Sequence, residues 1–561
     1  MNSALLHPVL PFVLAAAMAP FVGVQLRRLL SLAAPLTALV LLGLLPLGTQ
    51  LSFMAMGHEW VYLRFDDLSR IFALAFILYA FIAGVYAWTD VERGPKAASL
   101  GLAGAGVGVV LAGDLVSLFF FWEWLTITSL FLIWYGHTAG AWAAGFRYLM
   151  FHLAGAVVML IGILLQLAEG GGPFVPLSME SISAWLILLG MVTNAAVPPL
   201  HAWLSDAYPR ASVYGTVFLA AFTTKAAVYA LARGFPGLDV LVWAGVAMAL
   251  FGVVYAVLEN DIRRLLAYHI ISQVGYMVTG IGLGTALALN GTAAHAFAHI
   301  FYKGLLMMSA GAVIYATGRG KLTELGQLAR PLKWTLVLMM IGAFSISGVP
   351  FFNGFVSKSM IVSAAADAGR GPIELLLLLA SMGTFLHTGL KLPWFTFFAR
   401  DQGARVLRPV PASMYLGMGL TAAVCIVTGV FPGATLYAVL PYAAQYNPFT
   451  AHHFLEALQI LTGTALGFWI LRVKLFSEPT TTIDVDFLYR QPVLWLVDGA
   501  GAVLEGVGQR TNTTLAAAVH AGWRRLIRIQ ERGVSASLAF QAAVVFLGVA
   551  FAAYVALLIH Q

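Results

Sequence analysis

The sequence predicts an all-α, polytopic membrane protein of about sixteen transmembrane helices, with two five-helix repeats that contain broken helices. Three observations carry that fold class. Hydrophobic residues make up 60% of the 561 positions and charged residues only 10%, against roughly a quarter charged in soluble domains. Apolar runs of about 18 residues or more, enough to cross a hydrocarbon core about 30 Å thick, recur along almost the whole chain. Backbone polar groups cannot go unpaired in lipid, so runs of this kind must be helices. The single Cys425 excludes an intrachain disulfide and any cysteine-ligated zinc or iron–sulfur cluster. The formal charge of +7 suggests nucleic acid at first sight, but the basic residues sit in short loops between spans, where they serve as a topology signal.

In chain order, spans are expected near 4–24, 29–47, 68–89, 97–113, 115–135, 146–168, 183–203, 212–233, 238–258, 264–285, 291–316, 334–350, 373–397, 411–432, 454–472 and 536–558. No basic region precedes the first apolar stretch, so a retained first span is expected rather than a cleaved signal peptide. Basic residues follow the odd-numbered spans: Arg27 and Arg28, Arg93 and Lys96, Arg210, Arg263 and Arg264, Arg319 to Lys333, Arg400 to Arg408, then Arg472 and Lys474. Those loops should face the cytoplasm and both termini the outside. Residues 477–534 interrupt the pattern. Within them "LAAAVHAGWRRLIRIQERG" reads as a basic amphipathic helix in the cytoplasmic interface, serving either as a connector to the last span or as an arm that ties the protein to a neighbour.

Against this background the buried charges stand out. Glu123 lies inside "SLFFFWEWLTITSLFLIWYG", and Lys225, Lys303, Lys358 and Lys391 are each flanked by apolar sequence, as are His269, His295, His299 and His387. A charge at mid-membrane costs on the order of 2.5–3.5 kcal/mol on insertion scales. Repeating that cost in one domain makes sense if the groups face a shared hydrated interior where they pair and exchange protons. Plainer readings apply to some of them. Lys391 and Arg147 lie near span ends, where they could snorkel. Lys358 lies where the outer end of a span could fall. Asp114 reads as a helix N-terminal carboxylate. Glu123 and Lys303 resist such readings, because their helices continue for about two turns or more on each side. His295, His299 and Lys303 share one helix face at i, i+4 and i+8. A third metal ligand is missing nearby, so proton relay suits the row better than zinc, and no metal is expected.

An internal repeat is visible. "GDLVSLFFFWEW" matches "NDIRRLLAYHI", "RYLMFHLAGAVVML" matches "KGLLMMSAGAVIYA", "AAVPPLHAW" matches "SGVPFFNGF", and Lys225 matches Lys391. The expected organisation is a three-helix segment at 1–96, five-helix repeats at 97–233 and 238–397, two further spans within 398–476, the interfacial arm at 477–534 and a last span within 535–561. Paired, Pro-interrupted spans point to ion sites at the breaks.

The stretches "GDLVSLFFFWEWLTITSLFLI", "PPLHAWLSDAYP", "AFTTKAAVYALAR", "DIRRLLAYHIISQVGYM", "HAFAHIFYKGLLMMSAG" and "ISGVPFFNGFVSK" resemble, in this order, the signature stretches of the proton-translocating antiporter-like family. That family includes the A-type and D-type components of Mrp-type multisubunit sodium/proton antiporters, the pumping subunits of respiratory complex I and related subunits of membrane-bound hydrogenases. The resemblance covers about residues 60–430, and the stretch from Val197 to Gly237 looks most like the D-type antiporter component.

The resemblance implies a subunit of a multisubunit complex in a bacterial or archaeal cytoplasmic membrane. Such a subunit moves protons, and in the antiporter case exchanges them for sodium, through two half-channels. Glu123 matches the fifth-span glutamate, Lys225 the eighth-span lysine, Lys303 with His295 and His299 the eleventh-span group, and Lys358 the twelfth-span residue. One position departs: the seventh-span lysine aligns with Asn194. Asn cannot titrate, so either Glu123 pairs with another cation, such as Lys225, or the first half-channel is altered. A redox-driven pump subunit of a complex I-like quinone oxidoreductase or hydrogenase is the rival reading. The chain has no nucleotide loop, flavin motif or cluster ligands, so no cofactor is expected, and driving redox chemistry would reside in partner subunits. The expected partners are other membrane subunits and the bilayer, with no nucleic acid.

Overall fold

A computed structural model describes residues 7–55, 58–475, 484 and 487. From Val9 to Leu45 the chain forms two helices, α1 (Leu10–Met18) and α2 (Val24–Leu44). An antiparallel hairpin follows, β1 (Thr49–Ala55) and β2 (His58–Phe65), with an irregularity between Leu51 and Ser52. The spans expected from sequence leave 48–67 as a loop. The hairpin's signal was the alternation in "HEWVYLRF", too short to compete with the flanking apolar runs.

The rest is helical: α3 (Asp67–Tyr86), α4 (Arg93–Leu111), α5 (Leu115–Trp134), α6 (Ala139–Ala168), α7 (Ile182–Asn194), α8 (Ala202–Ala207), α9 (Val213–Leu219), α10 (Thr223–Gly234), α11 (Asp239–Leu258), α12 (Ile262–Leu283), α13 (Ala286–Thr317), α14 (Lys333–Ser347), α15 (Asn353–Asp367), α16 (Gly371–Thr384), α17 (Ala412–Val430) and α18 (Ala451–Leu471). Beyond α16 the helix continues in π-helical turns at Phe385–Lys391 and Trp394–Phe398. Among the described residues, 11 helices are long and apolar enough to cross a membrane, counting α9 with α10 as one. The chain is a multi-pass membrane protein. The total falls below the expected sixteen partly because broken spans such as α7–α8 and α14–α15 come in pieces too short to count. The arm at 477–534, apart from Asp484 and Phe487, and the span at 536–558 lie outside the described residues. Helix α15 was not foreseen as an element, because "NGFVSKSMIVSAAAD" turns its polar residues inward and so reads as a connection.

Loop contacts define two faces. On one, Arg27 donates to the carbonyls of Ala19 and Val91 at 2.9 and 2.6 Å, and Thr89 meets Tyr214. Arg263 donates to Ala211 at 2.8 Å and Arg319 to Gln402 at 3.1 Å on the same face. The basic connections thus lie together. On the opposite face the hairpin meets the starts of α3 and α5: Gly113 N–H donates to Val61 at 2.9 Å, Arg64 to Phe174 at 3.0 Å, and Arg233 pairs with Asp66 at 2.7 Å.

The segments read as repeats carry matching devices. Asp114 caps α5, accepting from Val116 and Ser117 N–H, each at 2.8 Å, and Asp261 caps α12, accepting from Arg263 and Arg264 N–H at 2.9 and 3.0 Å. Both carboxylates satisfy helix-start donors that lipid could not. Each Asp also forms an isolated antiparallel bridge to the chain beyond the next helix, Asp114 to Pro173 and Asp261 to Lys321. Those next helices, α6 and α13, run for 30 and 32 residues. Asp114 sits on the hairpin face and Asp261 on the basic face, so the matching elements run in opposite directions.

The breaks match as well. After α7 and after α14 a non-glycine residue takes a left-handed conformation, Ala196 at φ 60° and Phe351 at φ 71°. Each such residue costs on the order of 1–3 kcal/mol and persists only where its surroundings impose it. Helices α11 and α12 touch backbone to backbone, since a Cβ on Gly275 would lie 2.5 Å from the Gly245 carbonyl oxygen. Small residues at such a crossing are the membrane substitute for a hydrophobic driving force, and here they fix the helix that carries His269 and Gln273.

Candidate functional site

The sequence-predicted residues fall into one connected group and one separate residue. Lys225, Lys303, Lys358, Lys391, His269, His295, His299 and His387 are all buried. Glu123 is half-buried at the edge of the packed face of α5, and its buried Oε1 has no partner among the described residues.

The lysines share a feature that sequence could not show: each rests on a main-chain carbonyl. Lys225 Nζ donates to Ala220 at 2.7 Å and to Thr224 Oγ1 at 3.1 Å, Ala220 lying in the break between α9 and α10. Lys358 Nζ donates to Ile346 at 2.9 Å. Four residues beyond Ile346 stands Pro350, which has no N–H to offer, so the α14 break frees that carbonyl for the lysine. Lys391 Nζ meets the carbonyls of Val257 and Glu259, at 2.5 and 3.4 Å, where α11 ends and leaves acceptors open. Lys303 Nζ donates to Leu266 on α12 at 3.3 Å. Among the described residues, Lys225, Lys303 and Lys358 form no ion pair with a carboxylate. A neutral amine retains N–H donors, so these contacts serve both protonation states, which an ion pair would not.

Between the lysines runs a line of side chains. His295 Nδ1 lies 3.0 Å from Ser357 Oγ, on the residue before Lys358, and its Nε2 lies 3.2 Å from Tyr302 OH. Tyr302 donates to Gln273 Oε1 at 3.3 Å, and Gln273 donates to Thr384 Oγ1 at 3.3 Å. His299 lies edge-on to Tyr302, ring centres 5.2 Å apart. His269 faces His387 at 6.3 Å. Both ring nitrogens of His269 and of His299 are buried without a partner among the described residues. Lys225 and Lys303 both lie close enough to His299 to act on it electrostatically. Lys358 Nζ stands 5.0 Å from the Tyr276 ring centre, and Tyr276 OH meets Ser381 Oγ at 2.9 Å.

Several of these positions were missed from sequence. Tyr302, Gln273, Ser357, Tyr276, Ser381 and Thr384 are uncharged, so a search for titratable groups passes over them. Gln273 did carry a signal, lying one helical turn (i+4) after His269, whereas Ser357 is only the chain neighbour of Lys358 and shares no face with it.

The segment expected as the first repeat, 97–233, is built differently. Lys225 does not pair with Glu123, so the pairing considered from sequence does not hold. The break carbonyl of Ala220 already holds the amine. Asn194, the last residue of α7, is buried, and both its amide atoms lack a partner among the described residues. His152 stacks on Tyr148 at 3.9 Å, and Tyr148 lies within electrostatic reach of Glu123. Arg147, read as a snorkelling residue, forms a 2.6 Å ion pair with Asp206 on α8. Lys358 lies beyond the α14 break rather than at an outer span end, and Lys391 turns inward instead of snorkelling.

Residues 112–387 match the family model described as NADH:quinone oxidoreductase/Mrp antiporter, transmembrane. An N-type subunit of NADH-quinone oxidoreductase from Desulforudis audaxviator is 31% identical over 426 residues, 68% of this chain and 82% of that protein. The chain belongs to the NADH:quinone oxidoreductase/Mrp antiporter family. A D-type subunit of a Na(+)/H(+) antiporter from Alkalihalophilus pseudofirmus is 33% identical over 285 residues, 46% of this chain and 57% of that protein. Among solved structures, a chain of the Mrp complex from Dietzia sp. superposes with a TM-score of 0.78 at 26% identity, covering 94% of this chain and 63% of that one. The chain is thus similar in sequence to subunits of both kinds and in fold to a chain of the Mrp complex.

Proposed function

We propose that the chain is an ion-translocating subunit of a multisubunit membrane complex, the D-type component of a cation (sodium)/proton antiporter. Protons move along buried groups: Lys225, the His299–His295–Lys303 face, Tyr302 and Ser357, then Lys358, with His269, His387 and Lys391 along the second repeat. Glu123 tunes the entry side. The observation that carries this reading is the seating of the lysines on open carbonyls, linked by histidines and hydroxyls, so that charge can come and go without breaking an ion pair. Moving one charge across 100 mV is worth about 2.3 kcal/mol, a scale that modest shifts in lysine proton affinity can meet.

The basic face is assigned to the cytoplasm and the hairpin face to the outside of a bacterial or archaeal cytoplasmic membrane, with both termini outside. The domain scheme is two inverted five-helix repeats, 97–233 and 238–397, supported by the matching caps, bridges and breaks. A second reading, the pumping subunit of a complex I-like or hydrogenase-like assembly, is favoured by the similarity to the N-type quinone oxidoreductase subunit over 82% of that relative. Vesicles bearing the assembled complex separate the two. A sodium gradient that drives proton movement supports the antiporter, whereas proton movement that requires an added electron donor supports the redox pump.

A further inference from the structure

We infer that Glu456 on α18, with His453 one turn earlier, forms the hairpin-side mouth of the proton path that ends on Lys358, and this inference rests on the proposed function above. Between α15, α16 and α18 lies a cavity of about 50 Å³ whose polar lining is Ser347, Lys358, Ser359, Ser381, His453 and Glu456. A buried water needs on the order of 10–15 Å³ of such space and two to four polar partners, so the cavity has room for more than one. It reaches from the buried amine of Lys358, past Ser381 and Ser359, to two half-buried titratable groups in the first turns of α18. That helix starts near the hairpin face: Tyr442 N–H in the loop before it donates to Asn290 at 3.0 Å where α13 begins, and Gly237 N–H, just past the Arg233–Asp66 pair, donates to Ile281 where α12 ends.

The placement is specific. Helix α18 is mostly apolar and leaves most of its surface exposed, yet Glu456 is turned towards the cavity rather than outwards. His453 is held there by Ser363 Oγ at 3.2 Å and by the Pro448 carbonyl at 3.1 Å. Tyr446 OH meets the same Ser363 at 3.4 Å. The charged and titratable groups around Glu456 are Lys358 on α15, Glu374 on α16, and His452 and His453 on α18, with Tyr446 and Asp367 near the rim.

The step balances as one proton. The Lys358 ammonium gives a proton through cavity water to the Glu456 carboxylate, leaving a neutral amine and a carboxylic acid. Glu456 then returns the proton to solvent past His453, and Lys358 is reloaded from His295 through Ser357.

Proton transport by the assembled complex in membranes tests this. Glu456→Gln should slow transport by at least about tenfold, less than the roughly 100-fold that loss of a buried proton carrier costs because water in the cavity partly replaces a group at its mouth, and should flatten the dependence on pH at the hairpin face. Glu456→Asp should restore most of both, and Glu374→Gln should leave both near wild type. Ser359→Cys, on a background where the only native cysteine is the buried Cys425, should react with a membrane-impermeant thiol reagent from the hairpin face. Wild-type rate and pH profile in Glu456→Gln, or a Ser359→Cys that the reagent never reaches, overturns the mouth while Lys358→Ala still abolishes transport. If Lys358→Ala transports normally, the path itself falls and the mouth with it.

Discussion

Residues 97–233 and 238–397, expected from sequence as repeats, carry matching caps, bridges and breaks but different polar interiors. Both have a capped span, a 30- or 32-residue helix, a break with one strained non-glycine residue and a final span carrying a buried lysine. In the second, the buried groups touch: histidine to serine, histidine to tyrosine, tyrosine to glutamine. In the first, Glu123 and Asn194 stand apart with atoms that have no partner among the described residues, and the position matching Lys303 is Arg147, engaged in an ion pair. Lys225 belongs to the first by sequence and to the second by its electrostatic neighbours, His295, His299 and Lys303. The backbone frame sets where a break and a lysine fall. Side-chain identity then decides whether a chain of proton carriers connects them.

The sharpest way to break this contrast is to remove the lysines of the connected half. Lys303→Ala and Lys358→Ala should each reduce transport by roughly 100-fold or more, the usual effect of deleting a positioned proton carrier, with assembly intact by native gel. Retained transport would mean that the path lies elsewhere. Tyr302→Phe, which cuts the hydroxyl between His295 and Gln273, should cost about tenfold and raise the solvent isotope effect, because a water must replace the hydroxyl.

Smaller effects sharpen the comparison. Asn194→Ala removes an amide that has no partner among the described residues, and transport should change by less than about twofold; a large loss would reveal a bound partner in the first half. The smallest difference concerns the frame. Asp114→Ala and Asp261→Ala should destabilise the protein similarly, by about 1 kcal/mol each, read from denaturant or thermal unfolding in detergent. Unequal losses would show that the matching caps do not do matching work.

Much of this was legible in the sequence because lipid restricts the options: apolar length gives spans, and a charge within one needs a reason. The breaks after α7 and α14 were legible too, through Pro198, Pro199 and Pro350, whereas the one between α9 and α10 at Ala220 carries no proline and fell inside the span expected at 212–233. What was not legible has a common cause. The partner of Lys358 is a carbonyl, and every residue has one, so no side-chain pattern announces it. Tyr302 and Gln273 look like ordinary helix residues until the fold brings α12 and α13 together. Helix α15 was hidden because inward-facing polar residues make a membrane helix resemble a loop. The pairing of Glu123 with Lys225 failed for the same reason as the first point, since a broken helix supplied the acceptor that a carboxylate was expected to supply.

The most direct measurement is a pair of double-mutant cycles on transport rate in membranes bearing the assembled complex. One combines Lys225→Gln with His299→Gln, and the other Lys225→Gln with Glu123→Gln. Groups that act as one unit give a double variant little worse than the more damaged single, and independent groups give losses that multiply. The expected result is strong coupling between Lys225 and His299 and multiplying losses for Lys225 and Glu123. Multiplying losses for the first pair with coupling in the second would place Lys225 in the first half and contradict the account.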